Sequence, residues 1–236
     1  MEKSSVEIKD NSLNMYTNIV VAVPHSVGVP IDVDWTLDEK VRAFRDRYID
    51  WETDALFSVE MPNVSVVKFP IARIDVDAER LEHEKDRVGN CEIISEGRVS
   101  LSDSQRNKRL AGWFNYRAEL MKAASEGERS IIIDCHSFPN DIASDVDICI
   151  GYNEDSSKPS EEVIEKVCSI FISAGYSVAH NRPFANAIAP FGYCGHSLML
   201  EVNKRCYLDP AEKCKGEGFD KLRETVQKVY SFLLRS

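Results

Sequence analysis

The sequence predicts an α/β domain, and three observations predict it. Apolar β-branched runs of strand length alternate with helix-length amphipathic stretches along the whole chain. Ile131-Ile132-Ile133 has the character of a strand buried on both faces, and it runs directly into Asp134-Cys135-His136-Ser137. Near the start, Ile19 to Val23 does the same and leads into Pro24-His25-Ser26. Two strands that each end in His-Ser place chemistry at the carboxyl edge of a sheet, where α/β enzymes carry their sites.

Residues 1–15 are polar and aperiodic and read as a flexible leader, with residues 16–236 as one domain. The first strand covers about 17–23. Leu37 to Phe57 reads as one helix, since Leu37, Val41, Phe44, Tyr48, Trp51 and Ala55 share a face and Thr36 with Glu39 forms a capping box. Val64 to Phe69 is a second strand, and Arg73 to Asp77 alternates charged and apolar residues like a strand with one polar face. Residues 78–103 are charged and aperiodic, which predicts a long loop. A helix over 104–125, the Ile131 strand and a strand at 146–150 follow. Pro159 opens a helix through Ala174 that stops at Gly175. Short strands at 176–179 and 197–202 and a helix at 219–234 complete the chain.

A net charge of −10 argues against binding nucleic acid through its backbone, and no run approaches the length of a membrane span. The seven cysteines are scattered without a CxxC pair, and Met1-Glu2-Lys3-Ser4-Ser5 has no apolar signal core. Reduced thiols and a cytoplasmic location are the expectation.

Of five histidines, His25 and His136 directly follow apolar strands. Hydrolytic metal sites take two imidazoles and a carboxylate and leave a position for water. The chain has no HExxH or HxxxH, so helical zincin chemistry is excluded, and Gly28 stands where an HxxE glutamate would be. Glu201 is a lone carboxylate in the apolar run Ser197 to Val202; it is either a surface residue of an edge strand or a functional group. Cys135 sits beside His136, but neighbours on a strand point to opposite faces, so a thiol nucleophile is disfavoured.

Eight pieces, in order, carry a resemblance. They are Val23-Pro24-His25-Ser26, Asp50-Trp51 with Thr53 to Phe57, Ala72-Arg73 through Asp77 to Arg80, and Trp113 with Tyr116 and Leu120. Then come Asp134-Cys135-His136-Ser137, Asp147 to Gly151, Asn181-Arg182-Pro183-Phe184, and Leu200-Glu201-Val202-Asn203 with Arg205 and Tyr207. In these the chain resembles the N-formylglutamate amidohydrolase (N-formylglutamate deformylase) family, whose fold is related to the zinc carboxypeptidases and aspartoacylases.

The resemblance implies a three-layer α/β/α sandwich around a mixed sheet, hydrolase-like and zinc-peptidase-like, holding one divalent metal ion such as Zn2+. It implies a metallohydrolase acting on a small acidic N-acyl amino acid, with N-formyl-L-glutamate the leading substrate. His25 and His136 match the imidazole ligands. The third ligand is Asp50 or Asp54, which lie one helical turn apart; Asp50 is preferred. Glu201 matches the general base, and Arg73, Arg80, Asn181, Arg182 and Arg205 match substrate-binding positions, Arg73 also a catalytic one. Each arginine has the plainer alternative of a surface ion pair. A metallo-carboxypeptidase, a peptidoglycan amidase and a metal-free binding module are the rival readings. The chain departs from the family at Ala185-Asn186, where a glycine pair is usual, at Arg117, where a histidine is, and over 81–100.

Overall fold

The computed structural model describes residues 16–28, 39–84 and 101–234. The expected leader, the Thr36 capping box and most of the 81–100 segment lie outside these residues. Among the described residues six strands form one sheet: β1 (Asn18–Val23), β2 (Val64–Lys68), β3 (Ser130–Phe138), β4 (Ile148–Gly151), β5 (Val178–His180) and β6 (His196–Asn203), in the order β2-β1-β3-β6-β4-β5. All neighbours pair in parallel except β4 with β6, so the sheet is mixed.

Alternation along the buried strands fixes which layer each residue meets. Ile19, Val21, Ile131, Ile133, Cys135, Leu198 and Leu200 face one way, toward α2 (Thr53–Phe57), α4 (Glu161–Ser173) and α5 (Phe219–Leu233). Val20, Ala22 and Ile132 face the other way, where α3 (Asp103–Ala124) packs through Trp113, Tyr116 and Leu120. Helices on both faces make the expected three-layer α/β/α architecture. The helix ends follow the local chemistry. Ser102 and Gln105 form a capping box at the start of α3, and Ser160 caps α4 through the Val163 N–H.

Two expected elements differ. The helix expected over 37–57 is split into α1 (Glu39–Tyr48) and α2. Between them the Asp50 N–H donates to the His25 carbonyl at 3.0 Å and Glu52 takes φ 61. A tertiary hydrogen bond to the end of β1 outcompetes the helical ladder that periodicity alone favours. Residues 73–77 form turns rather than a strand. Their alternating charges do not share a solvent face, because each has its own interior partner. Asp75, fully buried, pairs with Arg109 of α3 at 2.8 Å, and Asp77 accepts from His25 at 3.0 Å.

Candidate metal centre

The chain leaves β1 in one direction, through α2 to β2, and returns through α3 to β3 on the other side of β1. The crevice between β1 and β3 at their carboxyl ends is therefore a switch point, the usual location of α/β sites. His25 follows β1 there. His136 lies near the end of β3, on the α3-side face with Ile132 and Asp134. Glu201 of β6 is its direct register partner, which sets carboxylate and imidazole side by side. Because neighbouring residues alternate, Cys135 points into the opposite layer, where burial pushes its thiol well up.

The break between α1 and α2 turns Asp50 into this crevice. Its Oδ2 lies 3.2 Å from His136 Nδ1 and 3.7 Å from His25 Nδ1. Asp54 faces outward and pairs with Lys68. The two imidazoles are 5.0 Å apart between centroids. Behind them, His25 Nε2–H donates to Asp77 at 3.0 Å. His136 Nε2 lies 3.1 Å from Asp134 Oδ1 and 3.0 Å from Glu79 Oε1. Asp134 is itself oriented, its Oδ2 accepting from the Ile188 N–H at 2.8 Å.

This acid-rich, buried setting perturbs several of the groups in it. Burial opposes ionisation of Asp50, but the neighbouring imidazoles of His136 and His25 override it and hold the carboxyl well below its ordinary range. Glu79 is likewise taken down to about 2, burial being outweighed by His136. Burial disfavours the His136 cation, yet Glu79 and Asp134 raise its pKa well above the usual imidazole value. Glu201 goes the other way. Burial, with Asp50 and Glu79 nearby, pushes it up to about 8 against the pull of His136 and Arg73.

The donor set suits a divalent cation. His25 Nδ1 is buried without a hydrogen-bond partner, an unusual cost for an imidazole, and it faces Asp50. His25, Asp50 and His136 each offer a ligand atom within 4.8 Å of the others. Both imidazoles aim Nδ1 at Asp50 and give Nε2 to a carboxylate, the arrangement that fixes the tautomer of metal-ligating histidines.

Arg73 and Glu79 line a cavity of about 550 Å3 together with His136 and Glu201. Four of the five substrate-binding positions named from sequence lie outside its lining. Arg80 lies 3.5 Å from Glu84, Arg182 is paired with Asp145 and Arg205 with Asp147, while the Asn181 carboxamide accepts from the Tyr152 N–H. For Arg182 and Arg205 the plainer alternative, a surface ion pair, describes what is seen.

Glu79 was not singled out from sequence, since a glutamate in a charged, aperiodic segment carries no signal of its own. It reaches the cavity because Arg117 holds the carbonyls of Ala78 and Arg80, each at 2.6 Å, while its guanidinium stacks on Trp113. Asn186 takes φ 74, a left-handed conformation that glycine favours and asparagine tolerates, so the missing glycine pair leaves the backbone path open.

A family model described as N-formylglutamate amidohydrolase matches residues 17–208. Among solved structures the chain is similar to N-formylglutamate amidohydrolase from Ralstonia eutropha JMP134, at 17% identity, with a TM-score of 0.72 over 94% of this chain and 93% of that one. It is also similar to a gene product of Agrobacterium tumefaciens, at 15% identity and a TM-score of 0.62, with the same coverage. At these identities the likeness to solved structures is one of fold. No curated protein matches the sequence significantly. Among the described residues no helix is long and apolar enough to cross a membrane.

Proposed function

The chain belongs to the N-formylglutamate amidohydrolase family and is an amidohydrolase, and from that premise we propose that it hydrolyses the amide of a small N-acyl amino acid at the carboxyl edge of β1, β3 and β6. N-formyl-L-glutamate is the substrate to test first. The observation that carries the reading is the convergence of His25 Nδ1, His136 Nδ1 and Asp50 Oδ2, with one of those nitrogens buried and unpartnered.

His25, Asp50 and His136 hold the cation. When bound, a zinc-like ion supplies Lewis acidity to the scissile carbonyl and lowers the pKa of water. Asp77 and Asp134 keep each imidazole turned with Nδ1 inward. Glu201 is the general base. It takes a proton from the attacking water on its carboxylate and delivers it to the departing nitrogen. Its raised pKa of about 8 suits that double duty, because a carboxylate of ordinary acidity would hold the proton too weakly to return it. Arg73, at the mouth of the cluster, receives the substrate carboxylate; its guanidinium lies 3.7 Å from Asp77.

The test is formate release from N-formyl-L-glutamate by the zinc-loaded protein, beside Glu201→Gln. That variant keeps one equivalent of metal and loses at least about 100-fold in kcat, the scale of a general base. Near-normal turnover in Glu201→Gln would overturn the assignment.

A further inference from the structure

The cavity beside the cluster is not uniform. Arg73 enters from the turn after β2, on the β1 side of the site, next to Asp77 and His25. On the other side, toward β6 and β4, Phe138, Met199, Ile142 and Phe184 form an apolar stretch of the lining, flanked by Asn153, Asp155 and Asn186. Phe138 is two residues beyond His136 on the same face of β3, and Met199 is two residues before Glu201 on the same face of β6. These two pack with Cys149 of β4, and Ile142 and Ala187 close the cluster. Phe184, 41% exposed, stands edge-on to Phe138 with centroids 6.4 Å apart and lines the same cavity.

A formyl group leaves this wall uncovered. The volume of about 550 Å3 falls in the range of sites that bury ligands much larger than an N-formyl amino acid, ~300–1,000 Å3. The order across the sheet is also directional. With the carboxylate of the amino acid on Arg73 and the carbonyl carbon beside His136 and Glu201, the next substituent beyond the carbonyl is the acyl group, and it meets the apolar wall.

We propose that the preferred substrate is an N-acyl amino acid with an apolar acyl chain longer than formyl, seated against Phe138, Met199, Phe184 and Ile142. This rests on the amidohydrolase reading above and deepens it. The reaction is unchanged: the water oxygen bonds to the acyl carbon, the C–N bond breaks, and the nitrogen takes the proton. The products are a short apolar carboxylic acid and the free amino acid.

The test is a series of N-formyl-, N-acetyl-, N-butanoyl- and N-hexanoyl-L-glutamate with the zinc-loaded protein, alongside N-formyl-L-leucine. Each methylene buried on the wall adds roughly fourfold in kcat/KM, so hexanoyl exceeds acetyl by on the order of 100-fold. Affinities of the same series for the slow Glu201→Gln variant, measured by calorimetry, rise in parallel. Ile142→Asp and Phe184→Ala, on the partly exposed rim of the wall, flatten the dependence on chain length. A flat or falling series, with formyl turned over best, overturns this proposal and leaves the amidohydrolase reading standing. A gain confined to N-formyl-L-leucine also overturns it, since the wall would then hold the amino-acid side chain. Failure of the zinc-loaded protein to hydrolyse any member overturns the underlying reading.

Discussion

Replacing Asp50 with Asn, beside the same change at Asp54, tests the metal centre directly. Asp50 is 1% exposed, and its Oδ2 is shared between His136 Nδ1 at 3.2 Å and His25 Nδ1 at 3.7 Å. Asn keeps the shape but removes the charge, the anionic oxygen on the Nδ1 side of both rings. Contacts of charged groups contribute about 1.5–3 kcal/mol each. Losing its one charged contact to the cation therefore weakens metal binding by roughly 1.5–3 kcal/mol, or about 10- to 100-fold in Kd. Asp54, one helical turn on in sequence, pairs with Lys68 at the surface, and Asp54→Asn leaves metal affinity unchanged. Competition between the protein and a zinc chelator of known affinity measures both variants, and circular dichroism confirms that each is folded. Wild-type affinity in Asp50→Asn, or equal losses in the two variants, would refute the assignment of the third ligand.

Other expectations follow from the same geometry. Arg73→Ala raises KM for an N-acyl amino acid by about 30-fold, equivalent to ~2 kcal/mol for a charged hydrogen-bonded pair, and an unchanged KM would remove Arg73 from the binding site. The metal-free protein loses stability as pH rises. His136, raised in the folded state, stabilises fully below its unfolded value of about 6.5, and that contribution fades as pH climbs through the raised value. Glu201, with a folded value of about 8 against 4.5, adds a decline between those two pH values. Asp50, held low, works at the acid end: its contribution is present above about 3.8 and lost as pH falls further. Urea midpoints for the metal-free protein are thus higher near about pH 5 than near about pH 8, and the reverse order would contradict the charge pattern. Arg109→Met removes the guanidinium paired with the fully buried Asp75 and costs about 3–5 kcal/mol in urea unfolding. A loss under ~1 kcal/mol would mean that this pair does not anchor the turn carrying Arg73, Asp77 and Glu79.

The layered fold was legible because its signals are local. Three isoleucines in a row, a proline at 159 ahead of a helix and a glycine after Ala174 each reflect backbone chemistry that operates within a few residues. The two strands ending in His-Ser were also readable, and alternation alone was enough to send Cys135 away from His136. Sequence by itself therefore determined most of the elements and the sheet edge at which these residue types gather.

Tertiary structure decided which members of each charged set face inward. Asp50 and Asp54 are equivalent on an unbroken helix, and what separates them is the hydrogen bond from Asp50 N–H to the His25 carbonyl, a contact between distant segments. Arg73 lines the cavity while Arg182 and Arg205 pair with Asp145 and Asp147, though all three sit in matching motifs. Glu79 reaches His136 because Arg117 grips the carbonyls on either side of it. Periodicity records a residue's neighbours along the chain. A charge's orientation is settled by partners across the fold, and those appear only once the strands have been brought side by side.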